Sequence, residues 1–196
     1  MTVWKNLIKD KTKLREYTKE FYDKHVAEST PDVRHVDAVG IEKLLPSLDK
    51  PLVASFESMG ANYYEGDTDS EIYTESILHT VTYENDHPIT QYLNGVFGNK
   101  FGMLIHNLQK PGQVVAPHFD NNLGFTRRCP FYFEPQNMTR AIIFLQDWKL
   151  GQSFTIGKTA LCDWKKFQCF EFPWCVPHAT ANASSFDKII LSYTGI

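Results

Sequence analysis

The stretch PGQVVAPHFDNN, residues 111–122, places His118 and Asp120 one residue apart. An imidazole and a carboxylate at this spacing share a face if the run QVVAPHFD is a strand, because side chains alternate with period two. Together they supply two legs of a two-histidine, one-carboxylate set. Such a set grips a metal such as iron(II) by one face and leaves three positions open for chemistry. A histidine–x–aspartate pair alone is a weak signal, and the chain holds a second, His35 and Asp37. No strand-like run leads into that one, so it reads as a packing or surface histidine beside a solvated aspartate.

A third ligand must come from further along, and only His178, in WCVPHATAN, lies downstream of Asp120. It follows the strand-like run FQCFEF, which places it at a strand end or turn. By itself it reads as a core or turn histidine bonded to a backbone carbonyl. Ten residues later Lys188 opens the apolar run KIILSYTG. A lysine at the start of a buried strand is costly unless an anion meets it. The competing reading is a lysine at a solvated strand end.

These residues need a scaffold. Residues 10–28 read as a helix with Leu14, Tyr17, Phe21 and Val26 near one face. A short helix is expected near residues 40–45, a strand over 51–56 and a helix over 88–97 with Pro88 in its first turn. Residues 71–83 are ambiguous between strand and helix. After residue 100, short strand-like runs follow at 101–108, 113–118, 140–146, 153–156, 167–172 and 187–194, separated by turn signals. Many short, closely spaced strands point to a sandwich or small barrel. The expectation is one domain over residues 1–196, with a helical support region in 1–100 packed on a β core in 101–196. The connection 121–138 carries no periodic pattern but is rich in aromatics, and long loops of that kind are usually functional.

The 196 residues suffice for one sizeable core. A net charge of −3 argues against nucleic acid as an obligate partner, since phosphate binding favours a basic surface. The opening residues lack the apolar core of a signal peptide, and no apolar run approaches bilayer length. The four cysteines form no CxxC pair. A cytoplasmic protein with reduced thiols and no membrane partner is therefore expected.

The order of His118 and Asp120, His178 about sixty residues later, and Lys188 ten residues beyond resembles the Fe(II)/2-oxoglutarate-dependent oxygenases. Local features agree. LQKPGQVVAPHFD is similar to the entry to the first metal strand in the prolyl hydroxylase and aspartyl/asparaginyl hydroxylase branches. TRAIIFL resembles the arginine-led strand that follows in the latter branch, and PHATANASSFDKIILSYTG resembles the segment of the distal histidine. The resemblance covers residues 101–196.

It implies a mainly β fold with flanking helices around a double-stranded β-helix, the jelly-roll, cupin-like core. It implies that His118, Asp120 and His178 hold Fe(II), that Lys188 pairs with the distal carboxylate of 2-oxoglutarate, and that O2 is the co-substrate. The reaction implied is decarboxylation of 2-oxoglutarate to succinate coupled to hydroxylation of an aliphatic C–H. The substrate would be an amino-acid side chain, free or in a protein, or a similar small molecule. A carboxylate at position 120 favours hydroxylation over halogenation. Arg140 corresponds to an arginine that contacts 2-oxoglutarate in the aspartyl/asparaginyl branch, or is an exposed cross-strand charge. Arg127 and Arg128 either meet a carboxylate-bearing substrate or form a solvated loop pair. Asn182 either supports His178 or makes a turn, and His106 either lines the pocket or is a buried core residue. Trp148, Trp164 and Trp174 read as core or rim packing. Two other classes stay open: a cupin-type metal enzyme that does not use 2-oxoglutarate, and a noncatalytic β-barrel binding module.

Overall fold

In the computed structural model the described residues are 11–26, 33–58, 75–120 and 122–196. The ends of the expected first helix, residues 71–74 and residue 121 lie outside them. Two sheets face each other. The large one runs β1 (Arg34–Asp37), β9 (Gln168–Pro173), β6 (Thr139–Phe144), β11 (Lys188–Gly195), β4 (Gly102–Gln109), β3 (Glu75–Tyr83) and β2 (Val53–Ser58). The small one runs β5 (Val114–His118), β10 (His178–Asn182), β7 (Gln152–Ile156) and β8 (Thr159–Leu161). Every pairing is antiparallel. From β4 onward the chain alternates between the sheets, with only β7 and β8 consecutive in one, and this winding is a double-stranded β-helix.

The first half differs from the helical expectation. It contains β1, β2 and β3, which extend the large sheet at both edges. Residues 75–83, left ambiguous by their pattern, are strand, because β2 pairs with residues 75–80 and β4 with residues 79–83. Among the described residues, three helical pieces accompany these strands: α1 (Lys11–His25), a 3-10 segment (Val39–Ser47) and α2 (Pro88–Phe97). Helix α2 starts on Pro88, whose missing N–H costs nothing in a first turn. It ends at Gly98, whose φ of 71° is the left-handed conformation glycine adopts without strain.

The outer face of the large sheet is covered by the 3-10 segment and α2. Ile41, Ile89 and Leu93 pack there against Leu104, Ile143, Leu191 and Tyr193, all fully buried or nearly so. Between the sheets, Phe144 stacks on Trp164 at 3.9 Å and meets Phe154 edge-on. Truncating Phe144 to alanine would cost about 3–5 kcal/mol in such a site. Helix α1 seals a third cluster: Tyr17 and Phe21 lie 6.3 and 5.4 Å from Trp174, beside Phe101, Phe125 and Phe133. One helix position further, Tyr22 rests edge-on against Phe119 at 5.6 Å. The helix thus braces the segment between His118 and Asp120.

The connection 121–138 is more ordered than its pattern suggested. It holds a short helix, α3 (Leu123–Arg128), and a 3-10 turn (Pro135–Asn137). Phe125 and Phe133 anchor it in the same cluster, while Phe131 and Tyr132 stay exposed.

Candidate metal centre

His118 and His178 are register partners across β5 and β10. Two residues further along β10, Thr180 pairs with Val115 rather than with Ala116. Two residues of β5, Ala116 and Pro117, therefore oppose one of β10, which is a β-bulge. The bulge reverses the parity of β5, so that Val115 and His118 both line the interior. Pro117 sits where it has no ladder hydrogen to donate, as expected of a proline in a strand.

The bulge also fixes the ring. His118 Nδ1 lies 2.8 Å from the carbonyl of Ala116. A carbonyl only accepts, so Nδ1 carries the proton and Nε2 turns its lone pair inward. His178 repeats the device, with Nδ1 3.3 Å from the carbonyl of Val176. Asp120 completes the group: its Oδ1 is 3.7 Å from His118 Nε2 and its Oδ2 is 3.5 Å from His178 Nε2. One ligand atom from each residue lies within 4.8 Å of the others. Metal bonds of about 2.1 Å at right angles place neighbouring donors about 3 Å apart. These donors stand wider than that and would have to draw together to meet one face of an ion.

The electrostatics suit a cation. Burial pushes His178 down to about 3, against the opposing pull of Asp120, so its imidazole is neutral and free to ligate at physiological pH. Burial alone would raise the Asp120 carboxyl. Arg140, His178 and His118 outweigh it and hold the carboxyl well below the usual range. Arg140 is the closest of these partners. Its Nη2 donates to Asp120 Oδ2 and its Nη1 donates to Thr194 Oγ1. The arginine is 5% exposed and lines the same cavity, so it is no exposed cross-strand charge.

The cavity beside the triad has a volume of about 360 Å³. The large sheet supplies Thr80, Thr82, Asn107 and Ser192 as polar lining, with Ile105, Ile142 and Ile190 between them. The small sheet supplies Val115, Phe154 and Thr180. Thr180 shares the inward face of β10 with His178, about 7 Å along the strand.

Lys188 stands behind Thr180. Its side chain does not line the cavity and the residue is 1% exposed. Nζ donates to the Thr180 hydroxyl at 2.6 Å and to the carbonyl of Ser153. Thr180 passes its own proton to Gln109 Oε1 at 3.0 Å. The rings of Trp164 and Phe154 lie 5.0 and 5.6 Å from Nζ. No carboxylate among the described residues pairs with this ammonium, and burial pushes its pKa down to about 7.

The other candidates lie elsewhere. Arg127 and Arg128 close α3 on the surface, and neither lines the cavity. Arg128 pairs with Glu84 at 2.9 Å and with the carbonyl of Gly124. His35 and Asp37 belong to β1: His35 rests against Phe170, and Asp37 accepts from the backbone of Val39. His106 faces the outer side of β4, away from the cavity, and burial lowers its pKa. Asn182 ends β10 and ties the following turn, donating to the carbonyls of Gln109 and Phe186. Thr80, Thr82, Asn107 and Ser192 were not singled out from sequence, because single threonines, asparagines and serines in strands carry no spacing signal.

No protein-family model matches the chain, and no curated protein matches its sequence. Solved structures do resemble it. A prolyl-4-hydroxylase from Pseudomonas putida superposes with a TM-score of 0.51 at 12% identity, over 93% of this chain and 98% of that one. A 2OG-Fe(II) oxygenase-family oxidoreductase from Burkholderia pseudomallei gives 0.50 at 9% identity, over 93% and 90%. A predicted oxalate decarboxylase from Thermotoga maritima gives 0.40 at 9% identity, over 74% and 93%. At these identities the likeness is one of fold: the chain shares the double-stranded β-helix of the 2OG-Fe(II) oxygenases and prolyl-4-hydroxylase.

Proposed function

We propose that the protein is an Fe(II)- and 2-oxoglutarate-dependent dioxygenase that hydroxylates an aliphatic C–H of an amino-acid side chain, free or in a protein, or of a similar small molecule. One observation carries the reading beyond a bare metal site. Lys188 is a buried ammonium without a carboxylate partner among the described residues, and one hydroxyl, that of Thr180, separates it from the cavity beside the triad. Charging a lysine in such a place is costly unless an anion meets it.

The donor set fits iron(II): two neutral imidazole nitrogens and one carboxylate, with room for further ligands. His118, Asp120 and His178 would hold the ion. The bound iron, 2-oxoglutarate and O2 supply the oxidising chemistry, in which 2-oxoglutarate becomes succinate and CO2 as a C–H bond is hydroxylated. The chain's own residues bind, orient and shield. The backbone carbonyls of Ala116 and Val176 keep both rings turned inward. Thr180 and Lys188 would receive the distal carboxylate, with a charge-assisted bond from Nζ. Arg140 lines the cavity at the triad, so its expected contact with 2-oxoglutarate belongs to the same proposal. Ile105, Ile142, Ile190, Val115 and Phe154 keep water from the reacting centre.

A second reading has its own observation. Lys188 is already bonded to Thr180 and Ser153 and does not line the cavity. A cupin-type metal enzyme that never binds 2-oxoglutarate would show the same arrangement. Anaerobic titration of the Fe(II)-loaded protein with 2-oxoglutarate, followed by assay of succinate under O2, separates the two. Saturable binding and succinate formation support the oxygenase. Metal binding without either supports the cupin reading.

A further inference from the structure

The Asp120 carboxylate straddles the two histidines, Oδ1 nearer His118 and Oδ2 nearer His178. Left alone, both oxygens could close on one ion. Oδ2, however, also accepts from Arg140 Nη2. The guanidinium cannot readily turn away: its side chain is 6% exposed and Nη1 is tied to Thr194, itself 2% exposed. The tie crosses two paired strands, since Arg140 of β6 and Thr194 of β11 are register partners. A fixed positive charge against Oδ2 makes that oxygen a poor donor to a dication, while Oδ1 keeps its lone pairs.

We propose that Arg140, braced by Thr194, is a positioning residue that makes Asp120 a one-oxygen ligand through Oδ1. The consequence is a count of open positions. Two imidazoles and one oxygen occupy three of six sites and leave three. A two-oxygen carboxylate leaves two. Three are needed if 2-oxoglutarate takes two and O2 takes one, so the clamp deepens the oxygenase reading and in that respect rests on it.

The test counts water molecules on Mn(II) bound to the protein, by electron–nuclear double resonance in isotopically labelled water. Wild-type protein should hold three. Arg140→Met, which keeps bulk but not charge, should hold two, and Arg140→Lys should return the count to three. Thr194→Val keeps the charge but removes the brace, and should give a mixture between two and three. It serves where Arg140→Met fails to fold. Three waters in both Arg140→Met and Thr194→Val overturn the clamp, as does a wild-type protein that binds no Mn(II). Adding 2-oxoglutarate to the wild type separates the two claims. Loss of two waters is the oxygenase outcome; if all three remain, that reading falls while the clamp stands on the variants.

Discussion

His118 and His178 face each other across β5 and β10 with ring centroids 4.4 Å apart, and the bulge at Ala116 and Pro117 is what turns them together. Replacing either histidine with alanine should lower Co(II) or Fe(II) affinity by more than ~100-fold, since even residues that merely support a ligand cost 10- to 100-fold. Deleting Ala116 tests the bulge without removing a ligand. It takes out the extra residue and leaves Val115, Pro117 and His118 in regular alternation, with His118 still inward opposite His178. Calorimetric titration should show metal affinity far closer to wild type than that of His118→Ala. A loss as large as that of His118→Ala would mean that the bulge does more than set parity.

Lys188→Ala should weaken 2-oxoglutarate binding while leaving Fe(II) affinity within a few-fold. One partner of a partly buried charged pair is worth about 2–5 kcal/mol, or roughly 30-fold to several thousand-fold in affinity. Equilibrium binding under anaerobic conditions measures it. An unchanged 2-oxoglutarate affinity would move the anchor to Arg140 or another base.

How much of this was legible beforehand depended on whether an inward face was apolar. The runs that became β4, β6 and β11 carry apolar residues at their core positions, and their extents matched within a residue or two at most ends. Strand β10 was not seen as a strand, although His178 was singled out. Its inward residues are His178, Thr180 and Asn182, and its outward ones are alanines, so no hydrophobic period exists to read. Strands β1 and β8 have four and three residues, too few to show alternation. The parity of His118 with Asp120 was readable because both lie on one side of the bulge. The bulge itself was not, since a register shift belongs to two strands and not to one. The Asp120–Arg140 contact joins the segment after β5 to β6, and nothing local announces it.

The ionisation of Lys188 links stability to pH. Burial lowers its pKa from the usual 10.5 to about 7. Between those values the unfolded chain binds a proton that the folded one does not, so unfolding free energy rises as pH rises from about 7 to 10.5. Below about pH 7 both states are protonated and the full burial cost, a few kcal/mol, is present. Lys188→Met should therefore raise the melting temperature at pH 6 and flatten its rise between pH 7 and 10. A parallel pH profile in both proteins would mean that other groups control the slope. The same shift predicts proton uptake when an anion docks on Lys188. Calorimetry of 2-oxoglutarate binding at pH 8 should give enthalpies that depend on the buffer's ionisation heat in wild type and lose that dependence in Lys188→Met.

Arg127 and Arg128 read from sequence either as contacts for a carboxylate-bearing substrate or as a solvated loop pair, and the fold puts them at the exposed end of α3, outside the cavity. The Arg128–Glu84 pair is about half exposed on both sides and so contributes no more than about 1 kcal/mol to stability. The double variant Arg127→Ala, Arg128→Ala should fold normally and bind Fe(II) and 2-oxoglutarate as wild type does. If the pair greets an acidic substrate at the surface, product formation at low substrate should drop while substrate-free conversion of 2-oxoglutarate to succinate continues, because that side reaction uses nothing α3 holds. Measuring succinate and hydroxylated product side by side reads the difference. If neither changes, selection lies with the polar residues that line the cavity. Thr80→Val with Thr82→Val then becomes the decisive variant: it removes two hydroxyls from β3 at nearly constant volume and should change substrate preference without touching the triad.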